Sequence, residues 1–253
     1  GRSRGTVVDL PDQLVEVYHY AGQVGDIRPT AYLHGSTMAL SGKDYLRNDE
    51  GKIITDGQGR PKINASISLL IGNREPEFTA GWLNRFQYKA LSLSVMTNFR
   101  YGGDVVNGTL RSLMSGGQAK MLEKYRNRLI LIDGVVEQAD GSYLPNTVPV
   151  VFDQAFYNNY YAPVGWNFVE DASLARISYA TLSYDASAIA RKIGVKGLQF
   201  SVTGKNLLLL TNYSGSDPVV NYTGSSGGTG TFGIDYLGIP NTRSFTLNIS
   251  ATF

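Results

Sequence analysis

Oily and polar positions alternate along several stretches of this chain. In "RSFTLNISATF", residues 243–253, Phe245, Leu247, Ile249, Ala251 and Phe253 fall on one face, and Ser244, Thr246, Asn248, Ser250 and Thr252 on the other. Successive strand side chains point to opposite sides, so the pattern predicts a β-strand between two unlike surroundings. From Ser244 onward neither face carries a charge. The edge of a soluble sheet fits this, and so does a membrane-crossing strand of about 9–11 residues with an oily outside and a small polar inside.

The same rhythm predicts a hairpin in "FTAGWLNRFQYKALSLSVMTNFRYGGD". Trp82, Phe86 and Tyr88 alternate with Gly81, Leu83, Arg85 and Gln87; a tight turn near Lys89 leads to Leu91, Leu93, Val95, Thr97 and Phe99, with Ser92, Ser94, Met96 and Asn98 facing the other way. Further strands are expected in "LVEVYHY" (14–20), in "ASLARISYATLSYD" (172–185) and in "LQFSVTGKNLLLLTNY" (198–213). The phase of 172–185 is ambiguous, because both faces carry large groups. That makes about six strands.

The connections alternate in length. A tight turn at Lys89 and a compact connector near Gly194 lie on one side, with long loops near residues 21–76, 102–170 and 211–241 on the other. This asymmetry is that of outer-membrane barrels, with short periplasmic turns and long extracellular loops, and it puts Phe253 on the short-turn side. Within the second loop, Leu110, Leu113 and Met114, then Met121, Leu122 and Tyr125, recur at helical spacing, and Gly116–Gly117 should split them into two short helices. Further on, "FDQAFYNNYYAPVGWNF" (152–168) is dense in aromatics.

Composition sharpens this picture. The 29 glycines, 16 tyrosines and 10 phenylalanines, against 17% charged residues, favour many strands and turn-rich loops. A net charge of +2 is too small to call for a nucleic-acid partner. The absence of cysteine excludes a disulfide framework and a thiol nucleophile. No apolar run is long enough for a spanning helix, so any crossing of a bilayer must be made by strands. The opening "GRSRG", without methionine or a signal-peptide core, reads as the interior of a longer polypeptide.

Five stretches, in this order, carry a family resemblance: "IGNREPEFTAGW", "FRYGGDVVNGT", "NNYYAPVGWNFVEDASLARISYATLSY", "LQFSVTGKNLLLLTNYSGSDPVVN" and "GIDYLGIPNTRSFTLNISATF". They resemble the C-terminal part of the SusC-like TonB-dependent outer-membrane transporters (the SusC/RagA family), and "YLRNDEGKIITDGQGRPKI" looks like one of that family's extracellular loops. The resemblance implies an all-β fold: an antiparallel transmembrane barrel segment, the last strands of a plugged barrel of about 22 strands. It also implies outer-membrane lipid around the wall, a SusD-like surface lipoprotein as lid, and TonB-driven import of oligosaccharide or peptide fragments. The plug, the TonB box and the other strands would lie in a missing N-terminal part, through which TonB would act. A terminal aromatic such as Phe253 would be the assembly signal of the barrel.

Catalytic chemistry is not expected. "GRSRG" and "GSSGG" spell G-x-S-x-G, but neither lies between a strand and a helix as a nucleophile elbow must. His19 and His34 have no spaced partner, and "NDEGKIITDGQG" misses the calcium-loop spacing, so no cofactor or metal is expected. The candidate contacts are Tyr157, Tyr160, Tyr161 and Trp166, whose rings beside Asn158 and Asn159 suit a sugar or a peptide. The same four could instead pack the loop or meet the lipoprotein. A soluble or surface-attached glycan-binding β-sandwich stays the alternative to the importer.

Overall fold

The computed structural model describes residues 16–18, 23–32, 35–66, 69–220 and 232–253. Its largest element is a five-stranded antiparallel sheet formed by β1 (Phe78–Tyr88), β2 (Leu91–Tyr101), β3 (Leu174–Asp185), β4 (Gly197–Thr211) and β5 (Ser244–Thr252). Each strand pairs with its neighbour in sequence, so the sheet is a meander ordered β5-β4-β3-β2-β1. At one end the connections are short. Lys89, at φ 52°, turns β1 into β2, and a short helix at Ser187–Ala190 leads from β3 to β4. Residues 102–173 and 212–243 make the long connections at the other end.

The register sorts the side chains into rows. Phe86, Leu93, Leu182, Val202 and Leu247 lie opposite one another across all five strands. One residue along, the row is Gln87, Ser92, Ser183, Ser201 and Asn248. The next is Tyr88, Leu91, Tyr184, Phe200 and Ile249. Over these rows one face of the sheet is therefore oily and the other small and polar, as the two-residue period of a strand dictates; farther along, the second face carries Leu83, Met96, Tyr179 and Lys205 in one row. On the polar face the Thr181 and Thr203 hydroxyls share a hydrogen bond of 2.9 Å, and Asn98 donates to Ser178 Oγ at 2.6 Å.

The ambiguous phase of the third strand has a structural cause. Ser178 is a bulge: the pairing shifts between Ile177 and Tyr179 against both neighbouring strands. The extra residue reverses the alternation, so the oily face takes Ala175 and Ile177 before the bulge and Ala180, Leu182 and Tyr184 after it.

Among the described residues neither face of this sheet is covered by another layer. Trp82 is 61% exposed and Leu247 67%, and every residue of β5 is exposed. A β-sandwich needs a second sheet facing the first; among the described residues none does so. Both edge strands, β1 and β5, have one unpaired side.

The long connections fold together into a head with its own core. Ile27, Leu40, Val106, Phe152, Phe168 and Ile234 are all buried in one cluster, drawn from before β1, between β2 and β3, and between β4 and β5. The strand Glu16–Tyr18 belongs here: it pairs with Arg28–Tyr32 in a small four-stranded sheet, not with the wall. A three-stranded sheet of Asp104–Asn107, Val169–Asp171 and Ile234–Asp235 sits where these connections leave and rejoin the wall. Helix α1 (Gly108–Ser115) starts on Asn107, whose Oδ1 accepts from Leu110 N at 2.8 Å, and Gly116–Gly117 end it, Gly117 at φ 69°. A short turn of helix at Leu122–Tyr125 follows.

Candidate functional site

The aromatic segment 152–168 lies in the head. Asp153 caps its first turn, accepting from Phe156 N at 2.8 Å. The chain then widens into a π-helical turn, Tyr157–Tyr161, closed by Ala162 N donating to Tyr157 O at 2.8 Å. Tyr157 and Tyr161 stack with ring centres 6.1 Å apart, and Tyr161 also meets Phe152 and Phe168 edge-on at 5.6 and 5.7 Å. Burial pushes the Tyr161 hydroxyl up to about 12. The Tyr157 hydroxyl donates to Arg111 O at 3.3 Å. These two rings face into the head.

Tyr160 and Trp166 differ. Arg60 lies over the Tyr160 ring at 5.6 Å and Arg47 over Trp166 at 4.6 Å, and Trp166 stays 43% exposed. Tyr45 donates to Tyr160 O at 3.1 Å and accepts from Asn167 Nδ2 at 2.7 Å, which binds the segment to residues 43–63. Both arginines have acidic partners: Arg47 pairs with Asp44 at 3.0 Å and Arg60 with Asp56 at 2.8 Å. Within "NDEGKIITDGQG", Asp56 Oδ1 also accepts from Gln58 N and Arg60 N, and Glu50 pairs with Lys52 at 3.5 Å. Among the described residues no group of three or more His, Asp or Glu side chains could hold a metal. "GRSRG", "GSSGG", His19 and His34 lie outside the described residues.

Two carboxylates knit the head. Asp26 Oδ2 accepts from Lys43 N and Gly165 N, both at 2.9 Å, and its Oδ1 pairs with Arg111 at 3.2 Å. Asp235 accepts from the Tyr213 hydroxyl at 2.6 Å and from Thr109 Oγ1 at 2.8 Å, and burial beside that carboxylate raises the Tyr213 pKa far above its ordinary value. Where the head meets the wall, Arg100 donates to Arg74 O at 2.8 Å, and Arg176 pairs with Asp217 at 2.5 Å. Phe253 follows β5 at the opposite end, 81% exposed, its carbonyl accepting from Lys196 Nζ at 2.9 Å.

No protein-family model matches the chain. It is 26% identical over 220 residues to TonB-dependent receptor P3 of Formosa agariphila, covering 86% of this chain and 20% of the receptor. To TonB-dependent receptor P26 of the same organism it is 26% identical over 205 residues, covering 78% of this chain and 19% of that one. The chain is TonB-dependent-receptor-like. These relatives are receptors, not enzymes, and the chain spans about a fifth of their length. Among solved structures it superposes on a chain of the RagAB peptide importer in its closed-closed state with a TM-score of 0.59 at 16% identity, covering 99% of this chain and 26% of that one. The open-open state gives a TM-score of 0.56 at 18% identity, over 97% and 25%. The fold is thus that of part of a chain of that importer, with an open sheet among the described residues rather than a closed barrel.

The four predicted residues share one segment but not one surface. Arg47 and Arg60, which lie over the exposed Trp166 ring and the half-buried Tyr160 ring, were not singled out from sequence. Nothing in the local pattern pairs them with rings about a hundred residues away.

Proposed function

We propose that this chain is wall and long-loop structure of a TonB-dependent outer-membrane importer of oligosaccharide or peptide fragments, acting with a SusD-like surface lipoprotein. The observation that carries the reading is the two-faced, uncovered sheet with alternating oily and polar rows. Hydrocarbon is the solvent that favours the face of Trp82, Leu93, Leu182 and Leu247, and a wet lumen suits the serine and threonine face. A bilayer also demands that every strand edge be paired, so β1 and β5 take partners from polypeptide outside this sequence, which also supplies the plug and the contact with TonB. The aromatic residues Tyr88, Tyr184 and Phe200 form part of the girdle at the short-turn interface.

The head would then stand on the extracellular side. Tyr160 and Trp166 meet the substrate or the lipoprotein lid there, and Tyr157 and Tyr161 hold the segment that presents them. Likeness to an importer whose published description names peptides supports the transport reading. Uptake by cells carrying the full-length protein tests it: import that needs an energised TonB, and a lipoprotein that copurifies in detergent, are the expected results. Full-length protein that stays monomeric in buffer without detergent would refute it.

A further inference from the structure

A hollow of about 450 Å³ opens on the head between the end of α1, the turn at Leu122–Tyr125 and the segment 152–158. That size is typical of ligand sites. Met114, Leu122, Phe152 and Tyr157 line it and are buried. Around them stand Arg126, Asn127, Gln154 and Asn158, all exposed. Arg126 is held at the rim by donating to Gly117 O. The side-chain amides of Asn127, Gln154 and Asn158 make no hydrogen bond among the described residues.

We propose that this hollow binds a peptide segment, seating one apolar side chain on the Met114–Leu122–Tyr157 floor while the amides pair with its backbone. The inference rests on the importer reading and names a substrate class for it. Each Asn or Gln amide offers donors and an acceptor, the complement of a peptide group. Sugars are recognised on open aromatic faces, and here those faces are occupied: Tyr157 stacks on Tyr161, and Phe152 packs against Tyr125, Phe156 and Tyr161. What remains is a floor of thioether, leucine and ring edges, suited to an aliphatic side chain.

The test uses the full-length transporter in detergent with three probes: a pentapeptide centred on leucine, the same peptide with glycine at its centre, and a neutral oligosaccharide of glucose. The leucine peptide should bind about tenfold more tightly than the glycine peptide, and a Gln154→Ala/Asn158→Ala variant should weaken it about tenfold, the effect of one or two lost neutral hydrogen bonds. Both sites are exposed, so the fold should tolerate the changes. Equal binding of the two peptides, an unchanged double variant, or tighter binding of the oligosaccharide overturns the proposal. So does a full-length structure in which the lipoprotein or another part of the transporter fills the hollow. Energised uptake without binding at the hollow would sink this inference and spare the importer; binding at the hollow without energised uptake would do the reverse.

Discussion

Replacing Val95 with arginine places a charge on the oily face of β2, and the structure sets how deep it lies. Val95 is four residues beyond Leu91, about 13 Å along the strand at about 3.3 Å per residue. A tilt near 45° turns that into a depth of about 9 Å from the girdle row, toward the middle of an apolar band about 25 Å tall. Its neighbours across the sheet are Asn84 and Ala180, too small to shelter a guanidinium. Arginine costs about 2–4 kcal/mol at the midplane of such a wall and about 0–1 near its edges. Val95→Arg should therefore cost about 2–3 kcal/mol, roughly a 30- to 150-fold shift in the folding equilibrium. Leu91→Arg, at the interface, should cost under about 1 kcal/mol. Ser94→Arg, on the polar face beside Arg85 and Thr181, should cost only a few tenths from like-charge repulsion. The assay is urea titration of the full-length protein refolded into phosphatidylcholine vesicles. If all three variants fall within about 0.5 kcal/mol of wild type, as surface changes in water do, the oily face does not meet lipid and the reasoning fails.

The head yields three more expectations. Tyr213→Phe leaves the buried Asp235 with Thr109 alone, and loss of a hydrogen bond to a charged group should lower head stability by about 2 kcal/mol, read by hydrogen exchange at the Val106 and Ile234 amides. Gly25 sits at φ 63° with Arg111 against the site of a would-be Cβ, so Gly25→Ala should expel Arg111 from Asp26 and lower the same protection by about 2 kcal/mol. The Asp104 carboxyl is raised from its ordinary value, first by burial and then by the nearby Asp171, against the pull of Asn73 N and Arg100. A raised folded-state pKa means that its contribution is fully present below the unfolded value and is lost as pH climbs through the folded one, so Asp104→Asn should remove that loss from the stability profile as pH rises from the ordinary value, read in thermal melts at stepped pH.

The wall was legible in the sequence wherever two faces differ cleanly. β5 alternates without interruption and β1 and β2 nearly so, and the turn at Lys89 and the compact connector before β4 fall where the breaks in pattern put them. β3 hid its phase because one bulged residue, Ser178, reverses inside and outside halfway along. Of the head, the two short helices split at Gly116–Gly117 were legible, but not how its segments pack. Its core joins Ile27 and Leu40 to Phe152 and Ile234, and such distant partners leave no local periodicity. The stretch 14–20 shows the same limit: Glu16–Tyr18 is a strand, but its pairing with Arg28–Tyr32 is decided by the head. For the candidate site, the density of aromatics between Phe152 and Phe168 was visible, but which rings stay open was not. A π-helical turn points Tyr157 and Tyr161 inward, and arginines from 47 and 60 frame Trp166 and Tyr160.

Wall and head solve opposite problems with one chain. Among the described residues the wall has no core of its own, so in the proposed importer its hydrogen-bonded ladder specifies register while lipid and neighbouring strands supply the burial. The head buries a core of its own. Among the described residues the two meet at the small sheet of Asp104–Asn107, at the Arg100 contacts with Arg74 O and the Phe232 ring, and at the Arg176–Asp217 pair, among other points. Each arginine is anchored in a wall strand and reaches a residue of a long connection, so the head takes its position from the strand ends rather than from the oily face. In the proposed importer that division leaves the outer face free for hydrocarbon and keeps the polar groups that order the head out of it.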